Sequence, residues 1–305
     1  MGLKTKIGKI TFKNPIWVAS GTFGYGQEYE DFLDLENVGA IVTKTVTLKP
    51  RKGNPPPRTF ETASGLINSI GLENRGIQHF KEEYLPFLNK LKTQVVVSIA
   101  GDTTSEFTSC IEKLSGKNSP DSIEVNLSCP NVAHKTKKYS LIAQDAKTTE
   151  KMISAIRKKT KKLLIAKLTP NVTDIAEIAK AAEAAGADAV SLVNTYFAMA
   201  VDAEEKKPLL GNVVGGLSGP AIKPMALKAV WDAYKAVKIP IIGIGGITSG
   251  KDAAEFMLCG AKAVQIGTAN FIDPAIYERI LKEFEDYLKR KKIDNVNSLV
   301  GALKI

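Results

Sequence analysis

Eight short runs rich in Val, Ile and other apolar residues recur along the chain, at residues 16–19, 40–44, 95–99, 122–126, 163–167, 189–194, 241–244 and 263–266. Near-continuous apolar runs of this length are expected of strands buried on both faces, and such strands pair in parallel when helices connect them. Helical patterns separate the runs. Residues 172–185 are alanine-rich and stop at Gly186, and residues 253–258 stop before Gly260, both with a glycine where a helix C-terminus needs one. Residues 4–12, with Gly8 in the middle, read as a hairpin that could close the floor of a barrel. Eight strand–helix units predict an α/β chain folded as a (β/α)8 barrel, a TIM barrel, with an N-terminal β-hairpin and extended loops at the C-terminal mouth. A doubly wound open sheet is the alternative, and it would carry a Gly-rich dinucleotide turn after its first strand, which is absent.

Polar residues collect where these runs end. They are Ser20-Gly21-Thr22, Lys44-Thr45, the stretch Asn126-Leu127-Ser128-Cys129-Pro130-Asn131, Lys167, Asn194-Thr195, Gly245-Gly246 and Gly267-Thr268. In a barrel all of them face one mouth, where active sites of this fold sit. The glycine pairs after the last two strands let backbone amides approach a phosphate, the usual phosphate grip of the fold. Gly215-Gly216-Leu217-Ser218-Gly219 reads as a further flexible segment near that mouth. Pro130 ends strand four and biases Cys129 away from helical dihedrals. The thiol there is either a reactive group between two carboxamides or an inert cysteine in a polar turn.

Two long connections extend the mouth. Residues 50–74 exceed an ordinary loop, which points to a functional segment. Residues 131–143 are polar and could close over a ligand; His134 within them is read as a bystander rather than a base.

Composition narrows the class further. With 305 residues, 44% hydrophobic and 24% charged, the chain suits a single globular domain spanning 1–305. Lys plus Arg outnumber Asp plus Glu by 42 to 32, a net +10. Much of that excess lies in Lys158-Lys159-Thr160-Lys161-Lys162 and Lys289-Arg290-Lys291-Lys292, read as solvated helix ends. Without interleaved aromatics it does not indicate nucleic acid. Three cysteines without metal-type spacing imply neither disulfide framework nor metal site; Cys110 and Cys259 fall in helical patterns as core residues. No apolar leader or membrane-length run is present, so a cytoplasmic location is expected.

Asn126 to Asn131, Asn68-Ser69-Ile70-Gly71-Leu72, Lys44-Thr45 and Gly216 to Pro224 together resemble class 1 dihydroorotate dehydrogenases, over residues 20 to about 268. The stretch from Asn194 to Pro224 is most similar to class 1B, in which such a chain is the FMN-binding catalytic subunit. The resemblance implies oxidation of (S)-dihydroorotate to orotate in pyrimidine synthesis, with Cys129 as the base that takes the C5 proton. It places Lys44, Asn68, Ser69, Ile70, Gly71, Leu72, Asn126, Asn131, Asn194 and Thr195 around the substrate. FMN is assigned to Ser20, Gly21, Lys44, Thr45, Ser98, Asn126, Lys167, Val193, Gly219, Gly245, Gly246, Gly267 and Thr268.

Two departures stand out. Ser98 occupies a position where the family usually has Asn, which alters one expected flavin contact, and the loop after Asn131 lacks the glycine-rich continuation common in class 1B. No dinucleotide turn or cysteine cluster is present. If NAD is the oxidant, electrons must leave through a partner subunit carrying FAD and a 2Fe-2S cluster, in a heterotetramer built on a homodimer. The resemblance leaves two other enzymes open: a fumarate-linked class 1A enzyme and a flavin reductase like dihydropyrimidine dehydrogenase. From another class, a non-redox phosphate-binding barrel would be colourless when purified.

Overall fold

The computed structural model describes residues 2–116, 118–127 and 142–305. Among the described residues, eight parallel strands close on themselves: β1 (Ile16–Val18), β2 (Ala40–Val42), β3 (Gln94–Ala100), β4 (Ser122–Asn126), β5 (Leu163–Lys167), β6 (Ala189–Leu192), β7 (Ile241–Ile244) and β8 (Ala261–Ile266). Each pairs in parallel with its sequence neighbour, and β8 returns to β1 through Val264–Ile16, Gln265–Trp17 and Ile266–Val18. A (β/α)8 barrel results.

Strands β1, β2 and β6 leave regular pairing earlier than the apolar pattern predicts. Single ladder bonds persist there, Ala19 N–H to Ile266 O at 2.8 Å, Thr43 N–H to Val96 O at 3.0 Å and Val193 N–H to Ile244 O at 3.0 Å. The backbone then turns out, carrying Ser20, Lys44 and Asn194 to the mouth.

Connecting helices start at side-chain caps. Asp145 accepts from Thr148 N–H, Asp174 from Ala176 N–H and Ser249 from Asp252 N–H, opening the helices Ala146–Arg157, Ile175–Ala184 and Gly250–Leu258. The last begins three residues before the alanine pattern does, because Ser249 fixes its start. Between β1 and β2 the alternation breaks. Only 3₁₀ turns, Gln27–Tyr29 and Leu35–Asn37, lie there among the described residues. Gly21, Gly24 and Gly26 all take positive φ in that stretch, which a helix cannot accommodate.

The hairpin Thr5–Ile7 with Ile10–Phe12 plugs the barrel. Ile7 and Phe12 join Trp17, Ala40, Val42, Val96, Leu163, Ile165, Ala189, Ile242 and Ala263 in one buried cluster, with the Phe12 and Trp17 ring centroids 4.3 Å apart. Outward-facing residues such as Ile123, Val125, Leu164 and Val190 belong instead to the larger core beneath the helices.

At the other end an antiparallel sheet of four strands stands over the mouth, in the order Tyr196–Met199, Val214–Ser218, Gly65–Asn68, Thr59–Thr62. The connection of residues 50–74 supplies two of these strands. The glycine segment expected to be flexible is an inner strand of the same sheet. Its glycines permit close strand packing: a Cβ on Gly215 would stand 2.6 Å from Asn68 O. No helix among the described residues is long and apolar enough to cross a membrane.

Candidate active site

Alternation along a strand turns every second side chain into the barrel. Followed upward, those positions change character. They run Ala40, Val42, Lys44 in β2 and beyond; Val96, Ser98 in β3; Leu163, Ile165, Lys167 in β5; Ala189, Ser191, Val193 in β6; and Ala263, Gln265, Gly267 in β8. The floor is apolar. Above it, Glu124 Oε2 accepts from Ser191 Oγ at 2.9 Å and from Gln265 Nε2 at 3.1 Å, while its Oε1 lies 3.7 Å from Lys167 Nζ. Glu124 is fully buried and Lys167 nearly so.

Above this polar layer opens a cavity of about 520 Å³. Of the residues expected to touch substrate or cofactor, Ser20, Gly21, Lys44, Thr45, Asn68, Ile70, Gly71, Leu72, Asn126, Lys167, Val193, Asn194, Thr195, Gly219, Gly245, Gly246, Gly267 and Thr268 line it. Two others do not. Ser98 is buried behind the wall, its Oγ 2.9 Å from Thr45 Oγ1, and Thr45 in turn meets Ser20 Oγ at 3.1 Å and Asn126 Nδ2 at 3.3 Å. Ser98 thus reaches the cavity through Thr45. Ser69 is also buried, its Oγ accepting from Asn54 Nδ2 at 3.0 Å and its N–H donating to Arg58 O at 2.6 Å, so it anchors the turn that presents Ile70 to Leu72. Gly71 and Leu72 both take positive φ in that turn. Ser128, Cys129, Pro130, Asn131 and His134 lie outside the described residues.

On the wall formed after β7 and β8, Thr268 Oγ1 donates to Ser218 Oγ at 2.8 Å. A Cβ on Gly21 would meet nothing within 4 Å, and one on Gly267 only Ala19 Cβ at 3.8 Å, so both face open cavity. Gly246 is packed differently: a Cβ there would come to 2.8 Å from Gly219 O. The loop beyond it is tied down by Asp252, whose Oδ2 accepts from Thr248 N–H at 2.9 Å and whose Oδ1 lies 2.5 Å from Lys223 Nζ. Burial raises the Asp252 pKa, but the Lys223 ammonium and the Thr248 and Ser249 donors outweigh it and hold the carboxyl below the usual carboxylate range.

Charge in the cavity is mixed. Lys44 and Lys167 face it with Glu28 and Glu73, of which Glu73 pairs with Arg58 at 2.5 Å and Glu28 accepts from Tyr25 N–H at 3.0 Å. Lys44 on the β2 side and Lys167 at the floor are the cations that line the cavity for an anionic ligand. Asn68, Asn126 and Asn194 add carboxamides that donate and accept. The described cysteines are poor nucleophiles. Burial pushes the Cys110 thiol up to about 12 and raises that of Cys259, which sits at a helix C-terminus rather than within the helix. No group of three or more His, Cys, Asp or Glu side chains among the described residues could hold a metal.

Glu124, Ser191 and Gln265 are site residues that strand-end reasoning missed. The signal was parity: Glu124 stands two residues before Asn126, on the same face of a strand whose other face is apolar.

Fold and site define a barrel enzyme of the kind that works at the C-terminal mouth, with a glycine-lined wall and an amide-rich cavity carrying two lysines. The dihydroorotate dehydrogenase family model matches residues 2–288. The dihydroorotate dehydrogenase B (NAD(+)) catalytic subunit of Desulforamulus reducens is 50% identical over 302 residues, 99% of this chain and 98% of that protein. The proteins of the same name from Citrifermentans bemidjiense and Bacteroides fragilis are 49% and 47% identical, again over 99% of this chain and 98% and 99% of their own lengths. The chain belongs to the dihydroorotate dehydrogenase family.

Proposed function

We propose that this chain oxidises (S)-dihydroorotate to orotate in pyrimidine biosynthesis, as the FMN-binding catalytic subunit of an NAD-linked enzyme. The observation that carries the reading is the convergence of Lys44, Lys167, Asn68, Asn126 and Asn194 on one cavity beside the glycine wall of β7 and β8. The residues fit FMN: Gly21 and Gly267 leave room that a Cβ would take, and Gly245, Gly246 and Thr268 stand where the fold grips phosphate. Bound there, FMN supplies the hydride acceptor that protein side chains cannot provide.

The chain's own residues supply the rest. Asn68, Asn126 and Asn194, with Asn131 as a fourth, match the amide edges of a dihydropyrimidine, and Lys44 attracts its carboxylate. Lys167 sets positive charge at the cavity floor, where it favours the charge that reduction adds. Cys129 follows two residues after Leu127, beyond the cavity-lining Asn126, and in this reading its thiolate takes the C5 proton as hydride leaves C6. A free thiol titrates near about 8.5, so a cationic surrounding brings it toward working pH. Electrons then pass to NAD through a second subunit carrying FAD and a 2Fe-2S cluster, in a heterotetramer assembled on a homodimer.

The test is anaerobic mixing of purified protein with dihydroorotate. The protein should be yellow and bleach. Cys129→Ser should keep its FMN and bleach about 10²–10⁴-fold more slowly. An unchanged rate would remove the thiol from the mechanism, and a colourless protein would remove the flavin.

A further inference from the structure

Glu124 is a carboxylate with no exposure at the centre of the barrel, and dihydroorotate chemistry as described makes no use of it. Burying such a group unpaired is costly, and a native interior keeps one only when its charge or hydrogen bonds are answered. Here the answer is incomplete by hydrogen bonds alone. Oε2 takes two donors, Ser191 Oγ and Gln265 Nε2, whereas Oε1 has no hydrogen-bond partner among the described residues. The remaining compensation is the Lys167 ammonium, 3.7 Å from Oε1. Lys167 is itself almost enclosed, with 6% of its side chain exposed, and what is exposed faces the cavity.

Each charge therefore justifies the other, but only one of them reaches the ligand. Ser191 and Gln265 come from β6 and β8, so three strands hold the carboxylate while β5 delivers the lysine. Ser191 and Gln265, which hold Oε2, do not line the cavity. Lys167 is then drawn toward Oε1 from below, with its remaining N–H donors left to the ligand above.

We infer that Glu124 is a positioning residue: it sets the height of Lys167 in the cavity floor and offsets its charge, thereby limiting how strongly that ammonium favours the reduced over the oxidised form of the bound flavin. The inference rests on the FMN reading proposed above. Neutralising Glu124 removes a negative charge beneath Lys167 and leaves the ammonium unopposed in a medium of low dielectric, where its field is felt more strongly. The reduced form, which carries more negative charge, gains.

The experiment is a redox titration of the flavin in the purified holoprotein against a reference dye, with thermal unfolding recorded alongside. Glu124→Gln preserves size and should raise the midpoint potential. We expect about a tenfold greater preference for the reduced form, about 30 mV for a two-electron couple. Glu124→Asp keeps the charge and should move the potential less. In a Lys167→Met background, which lacks the ammonium that Glu124 places, Glu124→Gln should shift the potential much less. Equal shifts in both backgrounds, or no shift in either, would overturn the inference while leaving the flavoprotein reading intact. A wild-type protein that binds no FMN would overturn both. Should Glu124→Gln fail to fold, Ser191→Ala, which removes one of the groups holding Oε2, is expected to shift the potential in the same sense by a smaller amount, and no shift there counts against the inference.

Discussion

The two ends of the barrel interior are built from the same strands and obey opposite rules. Below, Trp17, Val42, Val96, Ile165 and Ile242 interlock with Ile7 and Phe12 of the hairpin, and packing dominates. Two residues beyond Val42, Val96 and Ile165 stand Lys44, Ser98 and Lys167, with Gln265 two beyond Ala263, and there hydrogen bonds and charge take over from packing. The lower layer holds the strands at fixed spacing; the upper layer uses that fixed spacing to aim side chains. A substitution below should therefore register in stability and one above in ligand affinity.

The largest effect is expected at the floor. Trp17 is fully buried, with its ring tilted against that of Phe12. Trp17→Ala should lower unfolding free energy by about 3–5 kcal/mol in denaturant titrations, while the folded fraction retains FMN affinity near that of the wild type. A loss of affinity as large as the loss of stability would show that the two layers are not separable.

Asp252 comes next, because it belongs to both regimes: a nearly buried group that braces the loop beyond Gly246. Asp252→Asn should cost about 1.5–3 kcal/mol at neutral pH, the range for hydrogen bonds to charged groups, and weaken FMN binding modestly. The folded pKa of Asp252 is lowered, so its contribution is fully present above the unfolded value of about 3.9 and disappears as pH falls through the folded one. Wild type and variant should differ by a constant amount above about pH 5 and converge on acidification. A gap that persists in acid would mean that the loop depends on shape rather than charge.

Much of this organisation was legible before any coordinates. The eight apolar runs located the strands because residues buried on both faces leave a continuous signature, and the polar strand ends located the mouth because a parallel barrel has only one. Other features were hidden for physical reasons. A glycine such as Gly215 signals both freedom and close packing, and only the neighbouring Asn68 carbonyl decides for packing. A helix is expected after β1 as after the other strands, yet three positive-φ glycines forbid it. Ser98 faces the correct way but is too short to pass Thr45, a matter of depth that spacing along a strand does not encode. Glu124 was within reach, since a carboxylate on a strand buried on both faces must have a partner, and Lys167 on the adjacent strand was already in view.

The smallest change in stability is expected at Gly267, and it isolates the upper layer most cleanly. Its φ lies outside the left-handed region, and an added Cβ would meet only Ala19 Cβ at an ordinary 3.8 Å. Gly267→Ala should therefore leave the fold intact or stabilise it by about 0.4–1 kcal/mol, by restricting the unfolded chain. The methyl group points into the space assigned to FMN, so flavin affinity should fall about tenfold, on the order of 1.4 kcal/mol, in a titration of apoprotein followed by flavin fluorescence. Gly246→Ala is the counterpart. At φ +71 and with Gly219 O 2.8 Å from the new carbon, it should lose stability and affinity together. If Gly267→Ala binds FMN as the wild type does, the ligand does not lie against β8, and the wall that now appears built for it serves only to close the barrel.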